Sequence, residues 1–230
     1  MHMFLTHLVE QYPEYVKFAK KERGYKILDN SLIELGDAVS MSRVFEAAQL
    51  IDADEVVLPD KFLNKKETLI RALNGLDQLL KLEKESGRTF KKMAVIHGKN
   101  EQEWFECFHF LNSIEQIDVL GIPKVTHKLH PKGRPYFVNN ILKHTRKEIH
   151  LLGIWCDFYE LDYIRDPNWV RSVDSSLVPL YIKNNRSLDY IRPDHEKIDL
   201  ENDTLPDEYN IAGIPTDTFL SVVSERVNCL

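Results

Sequence analysis

Residues 92–97 read K-M-A-V-I-H, and residues 98–111 continue G-K-N-E-Q-E-W-F-E-C-F-H-F-L. The first run is short and almost continuously apolar, as a strand covered on both faces reads. The second starts at Asn100 with Glu103 three residues later, a capping-box-like opening before an apolar helical stretch. A strand that runs straight into a helix is one β/α unit, and the rest of the chain repeats it. Toward the N-terminus lie strand candidates at 3–6 (MFLT), 25–29 (YKILD) and 55–60 (EVVLPD). Toward the C-terminus lie 118–122 (DVLGI), 149–154 (IHLLGI), 170–174 (VRSVD) and 188–192 (LDYIR).

Segments of helical period separate these runs. They are expected at 7–21, from Ser40 or Ser42 to Leu50, at 64–84 with a stripe of Leu69, Leu73, Leu76 and Leu80, and after Asn100. Shorter ones are expected at 139–147, 157–165 and 175–184. Pro13 must sit near a first turn or break the first helix. Eight strands alternating with helices in 230 residues predict an α/β fold, a (β/α)8 TIM barrel forming a single domain over residues 1–230. A doubly wound open sheet is the rival, but no G-x-G-x-x-G follows any strand candidate. The acidic, turn-rich tail from 193 to 230 is expected to wrap the barrel and end in a short helix near 218–227.

Composition narrows the function classes. The chain is 43% hydrophobic and 29% charged, with a net charge of −6. That argues against sequence-blind nucleic-acid binding over the whole surface, while leaving room for a local basic patch. Three widely spaced cysteines, Cys107, Cys156 and Cys229, offer neither a disulfide framework nor a zinc-binding C-x-x-C pair. No metal site, signal peptide or membrane span is expected, and a cytoplasmic location follows, that of the host cell if the chain is viral.

Active sites of such barrels form at the C-terminal ends of the strands. The polar residues placed there are Asp29, Asn30 and Ser31 after the second strand, Asp60 after the third, and His97, Gly98 and Lys99 after the fourth. Gly121 and Lys124 follow at the fifth, Leu152 and Gly153 at the sixth, and Asp174 at the seventh. Each aspartate is also placed to cap a helix or make a turn. Two carboxylates at one mouth suit glycosidic-bond chemistry, in which one attacks the sugar carbon and the other moves protons.

With these residues in view, the chain resembles the tRNA-guanine transglycosylase superfamily. I-L-D-N-S at 27–31 is similar to the family's D-S-G-G segment, and V-D-S-S-L-V-P at 173–179 to its D-x-V-L-P segment. A-V-I-H-G-K at 94–99, D-V-L-G-I-P-K at 118–124 and I-H-L-L-G-I at 149–154 occupy the places of its V-Q-G-G, A-I-G-G and Y-L-M-G-V-G segments. The five occur in the family's order across residues 25–180. The resemblance implies Asp174 as the nucleophile at C1′ and Asp29 as the general acid/base. It implies Asp60 as acceptor for the base edge, His97 and Gly98 at the family's Gln-Gly position, Gly121 as a backbone contact, and Leu152 with Gly153 against the base. Asn30 and Ser31 would complete the substrate site. His97 replaces a glutamine, the glycines and aromatic that usually follow the first aspartate are absent, and so is the zinc motif.

A compact chain without the tRNA-binding module looks more like the phage and bacterial branch, which replaces guanine in DNA with a 7-deazaguanine base. The expected partners are a DNA or RNA substrate and that base, with no cofactor; a homodimer is allowed. Lys124, Lys128, Lys132 and Arg134, in a basic loop spanning 124–148 near the barrel mouth, would contact phosphates. The alternatives are a tRNA or free-nucleoside transglycosylase, a barrel lyase or phosphosugar isomerase using Lys99 or Lys124 as a Schiff base, and a catalytically silent barrel that binds a base or a partner.

Overall fold

The computed structural model describes residues 1–153 and 158–174. The expected eighth strand at 188–192, the helix at 175–184 and the acidic tail fall outside these residues, as do Trp155, Cys156 and Asp157. Seven strands form one sheet in chain order, β1 His2–Leu5, β2 Lys26–Asp29, β3 Glu55–Val57, β4 Lys91–Val95, β5 Val119–Pro123, β6 Glu148–Leu152 and β7 Val170–Val173. Every neighbouring pair is parallel. Each strand therefore needs a crossover, and the helical segments supply it.

The sheet is curled into a half-barrel. Arg171 on β7 donates to Glu55 on β3 at 2.6 and 3.1 Å, although three strands lie between them. In a flat sheet those strands would be about 19 Å apart, at the usual 4.8 Å spacing, beyond the reach of an arginine. Among the described residues β1 and β7 remain the two edges of the sheet.

Curling gives the sheet two buried faces. The inner face holds Ile27, Val57, Met93, Val95 and Val119, with Met3, Tyr25 and Leu152 packed on them. The outer face holds alternate residues such as Leu28, Val56, Ala94, Leu120 and Ile149, packed under the helices. Two apolar faces are why the strands read as continuous apolar runs rather than as alternating ones.

The helices are α1 Thr6–Gln11, α2 Pro13–Lys21, α3 Leu32–Leu35, α4 Met41–Ile51, α5 Lys65–Ser86, α6 Glu101–Ser113 and α7 Gly133–Ile141. The expected helix 7–21 is broken at Pro13, which becomes the first residue of α2. At α6, Asn100 accepts from the Glu103 N–H at 2.9 Å, and Glu103 accepts from the Lys99 N–H at 3.0 Å, so the expected cap is formed. The leucine stripe of α5 is displaced. Its buried positions include Ala72, Leu76, Leu79 and Glu83, whereas Leu73 and Leu80 are exposed; the helix turns its small residues to the sheet. The helix expected at 139–147 instead spans 133–141, because Pro135 fits a first turn and not a helix interior. Residues expected as a helix at 157–165 form a short 3-10 turn, Phe158–Tyr163.

Among the described residues no helix is long and apolar enough to cross a membrane. Cys107 is fully buried on the inward side of α6, and burial pushes its thiol up to about 12, so it packs as an inert apolar group.

Candidate functional site

The C-terminal strand ends bring Asp29, Asp60 and Asp174 to one rim. Asp29 closes β2, and its Oδ2 accepts from the Ser31 N–H at 2.8 Å. That turn requires Ser31 to adopt a left-handed backbone, φ 60. Thr6, the first residue of α1, donates to the Asp29 carbonyl at 2.6 Å, and the His7 N–H donates to Ser31 Oγ at 3.2 Å, so the loop is pinned by the start of α1. Burial pushes the Asp29 carboxyl up to about 8. The charge of Glu34 adds to this, the Ser31 N–H opposes it, and Asp60 and Asp174 raise it further. The last two contributions place those carboxylates within electrostatic reach of Asp29. At neutral pH Asp29 is therefore a proton-bearing acid.

This shift has a consequence for stability. The folded chain holds the Asp29 proton more tightly than the unfolded one, whose carboxyl titrates near pH 4. Its contribution is fully present below about pH 4 and is lost as pH rises toward about 8. Asp29→Asn removes this slope while keeping an oxygen for the Ser31 N–H. In urea titrations the variant should gain on the wild type steadily as pH rises from about 5 to 8. Two stability curves that stay parallel over that range would contradict the assignment.

Several residues expected to touch substrate support the rim instead. Asn30 is buried and donates to Leu58 O at 2.9 Å and to Asp60 Oδ1 at 2.7 Å, while its Oδ1 accepts from the Leu32 N–H at 3.0 Å. Ser31 is buried beside it. His97 is also buried. Its Nδ1 accepts from the Leu63 N–H at 3.3 Å, which puts the ring hydrogen on Nε2, where it donates to Asp60 Oδ2 at 2.7 Å. Both ring nitrogens are thus engaged. Asp60 has both oxygens occupied, and its side chain is 5% exposed. It anchors the second, third and fourth strand ends to one another, and a base edge reaches it only by displacing Asn30 or His97.

The glycines have packing reasons. A Cβ on Gly98 would lie 2.4 Å from the Trp104 nitrogen, so Gly98 lets α6 approach β4. A Cβ on Gly121 would meet Leu152 at 2.9 Å and Met93 at 3.0 Å, so the space over Gly121 is filled by the inner core. Gly153, with φ 66, turns its N–H onto Asp174 Oδ1 at 2.9 Å. A Cβ on Gly153 would lie 3.2 Å from the Lys124 side chain.

The basic loop 124–148 divides in two. Lys124, Lys128 and Lys132 are exposed on the connection from β5 to α7, at the rim. Helix α7 then carries the chain to the other end of the sheet, where Lys143, His144, Arg146 and Lys147 line a depression with Asn112 and Thr145. Only the first half lies beside the mouth. Arg134 is not a phosphate contact, because it is completely buried. It donates to Glu160, to Ile122 O at 2.9 Å, to Leu152 O at 3.0 Å and to Gly153 O at 2.6 Å. All five of its N–H groups are used.

Two residues at the site were missed by the sequence reading. His150 sits two residues before Leu152 on β6, on the inner face, with Nε2 3.1 Å from Asp174 Oδ1. The signal was a lone polar residue inside an apolar run, I-H-L-L-G. Phe62, 44% exposed, lies in the loop after Asp60 with its ring 6.0 Å from that of His97. The same loop holds Leu63 in a left-handed conformation, φ 51, a strained state for a branched side chain.

Fold and rim together define the class: an α/β chain with a curled parallel sheet whose carboxylates collect at the C-terminal strand ends. Neither a protein-family model nor a curated protein matches the sequence.

Proposed function

We propose that the chain is a base-exchange enzyme that replaces guanine in DNA with a 7-deazaguanine base, on a (β/α)8 barrel. One observation carries this reading. Two aspartates from strands far apart in sequence share one rim in different environments: Asp29 is desolvated and raised to about 8, while Asp174 accepts hydrogen bonds from Gly153 and His150. A pair of carboxyls in unlike environments is what acid and nucleophile roles require.

In the proposed reaction Asp174 attacks C1′ of a deoxyguanosine. The C1′–N9 bond breaks as Asp29 gives its proton to the departing guanine. The ionised Asp29 then takes the ring N–H proton of the incoming base, which attacks C1′ and frees Asp174. The intervening oxocarbenium-like charge is stabilised by the surrounding carboxylates. Lys124, Lys128 and Lys132 would hold flanking phosphates, which carry no base information but fix the strand. A lyase using Lys99 or Lys124 has less support, because both are exposed and a Schiff-base lysine is activated by desolvation or a neighbouring cation.

Phe62 and Leu152 are the apolar surfaces that a flipped base would meet at this rim. A stacked base contributes about 1–3 kcal/mol, so Phe62→Ala should raise KM for the polynucleotide roughly tenfold and leave kcat within about twofold. A loss confined to kcat would exclude Phe62 as a stacking surface. The reading as a whole is tested by mass spectrometry of nucleosides from DNA and tRNA of cells with and without the protein. A 7-deazaguanine deoxynucleoside that depends on the protein is expected; the modified nucleoside in tRNA alone would move the acceptor to RNA, and its absence from both would refute base exchange.

A further inference from the structure

Beneath Asp174 a hydrogen-bonded chain runs down the inside of the curled sheet. At its base the guanidinium of Arg171 donates to Glu55 at 2.6 and 3.1 Å and to Glu148 at 2.9 Å. Glu55 has no exposed side-chain surface and also accepts from the Tyr25 hydroxyl at 2.8 Å. The Arg171 Nε–H points to Ser172 Oγ at 3.3 Å. Ser172 Oγ lies 2.7 Å from His150 Nδ1, and His150 Nε2 lies 3.1 Å from Asp174 Oδ1.

The chemistry of the two ends sets the direction of the whole chain. An arginine can only donate, and a carboxylate can only accept. Asp174 Oδ1 can only accept, so His150 carries its hydrogen on Nε2 and donates it there. In the neutral ring Nδ1 then accepts the Ser172 hydroxyl hydrogen, while Ser172 Oγ accepts from Arg171. The ring is 1% exposed, so water does not compete for either nitrogen.

We propose that His150 is a positioning residue for base exchange, held in its Nε2–H tautomer by Ser172 and Arg171, and that it presents Asp174 Oδ2 as the attacking atom. This rests on the reading of Asp174 as nucleophile. Oδ1 receives two donors, the Gly153 N–H at 2.9 Å and the His150 Nε2–H. Among the described residues no hydrogen bond reaches Oδ2. With Oδ1 held by two donors, Oδ2 is the oxygen left for attack. An oxygen that keeps fewer hydrogen bonds is the better nucleophile, and one fixed in orientation loses less entropy on attack.

Two measurements on the whole chain test this. The first is the kinetics of labelled 7-deazaguanine incorporation by His150→Phe, which keeps the ring volume, and His150→Gln, which retains an N–H donor. His150→Phe should lower kcat about 30-fold or more with KM within about twofold, and His150→Gln should recover most of that loss. A phenylalanine variant with wild-type kcat, or a glutamine variant as impaired as the phenylalanine one, would overturn the positioning role. The second is the 15N spectrum of the His150 ring, which needs no substrate. Hydrogen on Nε2 is expected in the wild type and also in Asp174→Ala, where Ser172 alone holds the ring, with Nδ1–H appearing only in Asp174→Ala/Ser172→Ala. An Nδ1–H ring in the wild type, or a tautomer indifferent to Ser172→Ala in the Asp174→Ala background, would refute the relay even in a chain without exchange activity. Conversely, the expected spectra with no exchange by the wild type would preserve the relay geometry, refute base exchange and, with it, the catalytic role given to His150.

Discussion

Asp174→Ala should leave a folded protein that forms no covalent adduct with guanine-containing DNA and incorporates base at least about 10⁴-fold more slowly than wild type. The size follows from the role: without the carboxylate there is no atom to hold C1′ while the bases exchange. The fold should survive because Asp174 is at a strand end and its side chain is 29% exposed. Its loss frees two donors, the Gly153 N–H and the His150 ring, at a cost of about 1–3 kcal/mol. The measurement is a denaturing gel of protein incubated with a labelled oligonucleotide, where wild type shows a shifted band and the variant none. A shifted band of equal strength from Asp174→Ala would remove the nucleophile from the proposal. The same gel with Asp29→Asn separates the roles, since a variant lacking only the acid should be slowed both in forming and in resolving the adduct.

Arg134→Met should be the most destabilising single change at the rim. The guanidinium is wholly buried and bonds Glu160 together with the carbonyls of Ile122, Leu152 and Gly153. Methionine fills much of the volume but takes the guanidinium away from the buried Glu160 carboxylate and from three carbonyls. Removing one partner of a buried ion pair costs about 3–5 kcal/mol, a large share of the stability of any domain. The urea midpoint should fall accordingly. Arg134→Met with Glu160→Leu should recover part of the loss, because the buried carboxylate is gone as well. A single variant within about 1 kcal/mol of wild type would show that Arg134 does not hold the ends of β5 and β6 together. Since Gly153 is one of its partners, a partly folded variant should also lose alignment at Asp174.

Much of the sheet was legible in the chain. The seven strand candidates up to 174 correspond to β1–β7, because a strand covered on both faces leaves an unbroken apolar run whatever its neighbours are. The helix at 101–113 was legible from Asn100 and Glu103, since a cap acts within one turn. The helix at 133–141 was not, because Gly133 and Pro135 look like a turn until the space behind Pro135 is known. The rim was half legible. Asp29 and Asp174 could be placed at strand ends, but nothing local distinguishes an aspartate that faces a mouth from Asp60, which is locked between Asn30 and His97. Arg134 shows the same limit: in sequence it belongs to a run of cations, and in the fold it is the one member taken wholly inside.

The sequence by itself determined the alternation of strand and helix and the positions of the strand ends, because these follow from local backbone preference and apolar period. Only the tertiary structure decided which polar side chains meet. The curl lets Arg171 reach Glu55, strand pairing sets His150 against Asp174, and burial raises Asp29. Such pairings depend on through-space distance and dielectric between residues 24 to 116 positions apart, and no local pattern encodes them.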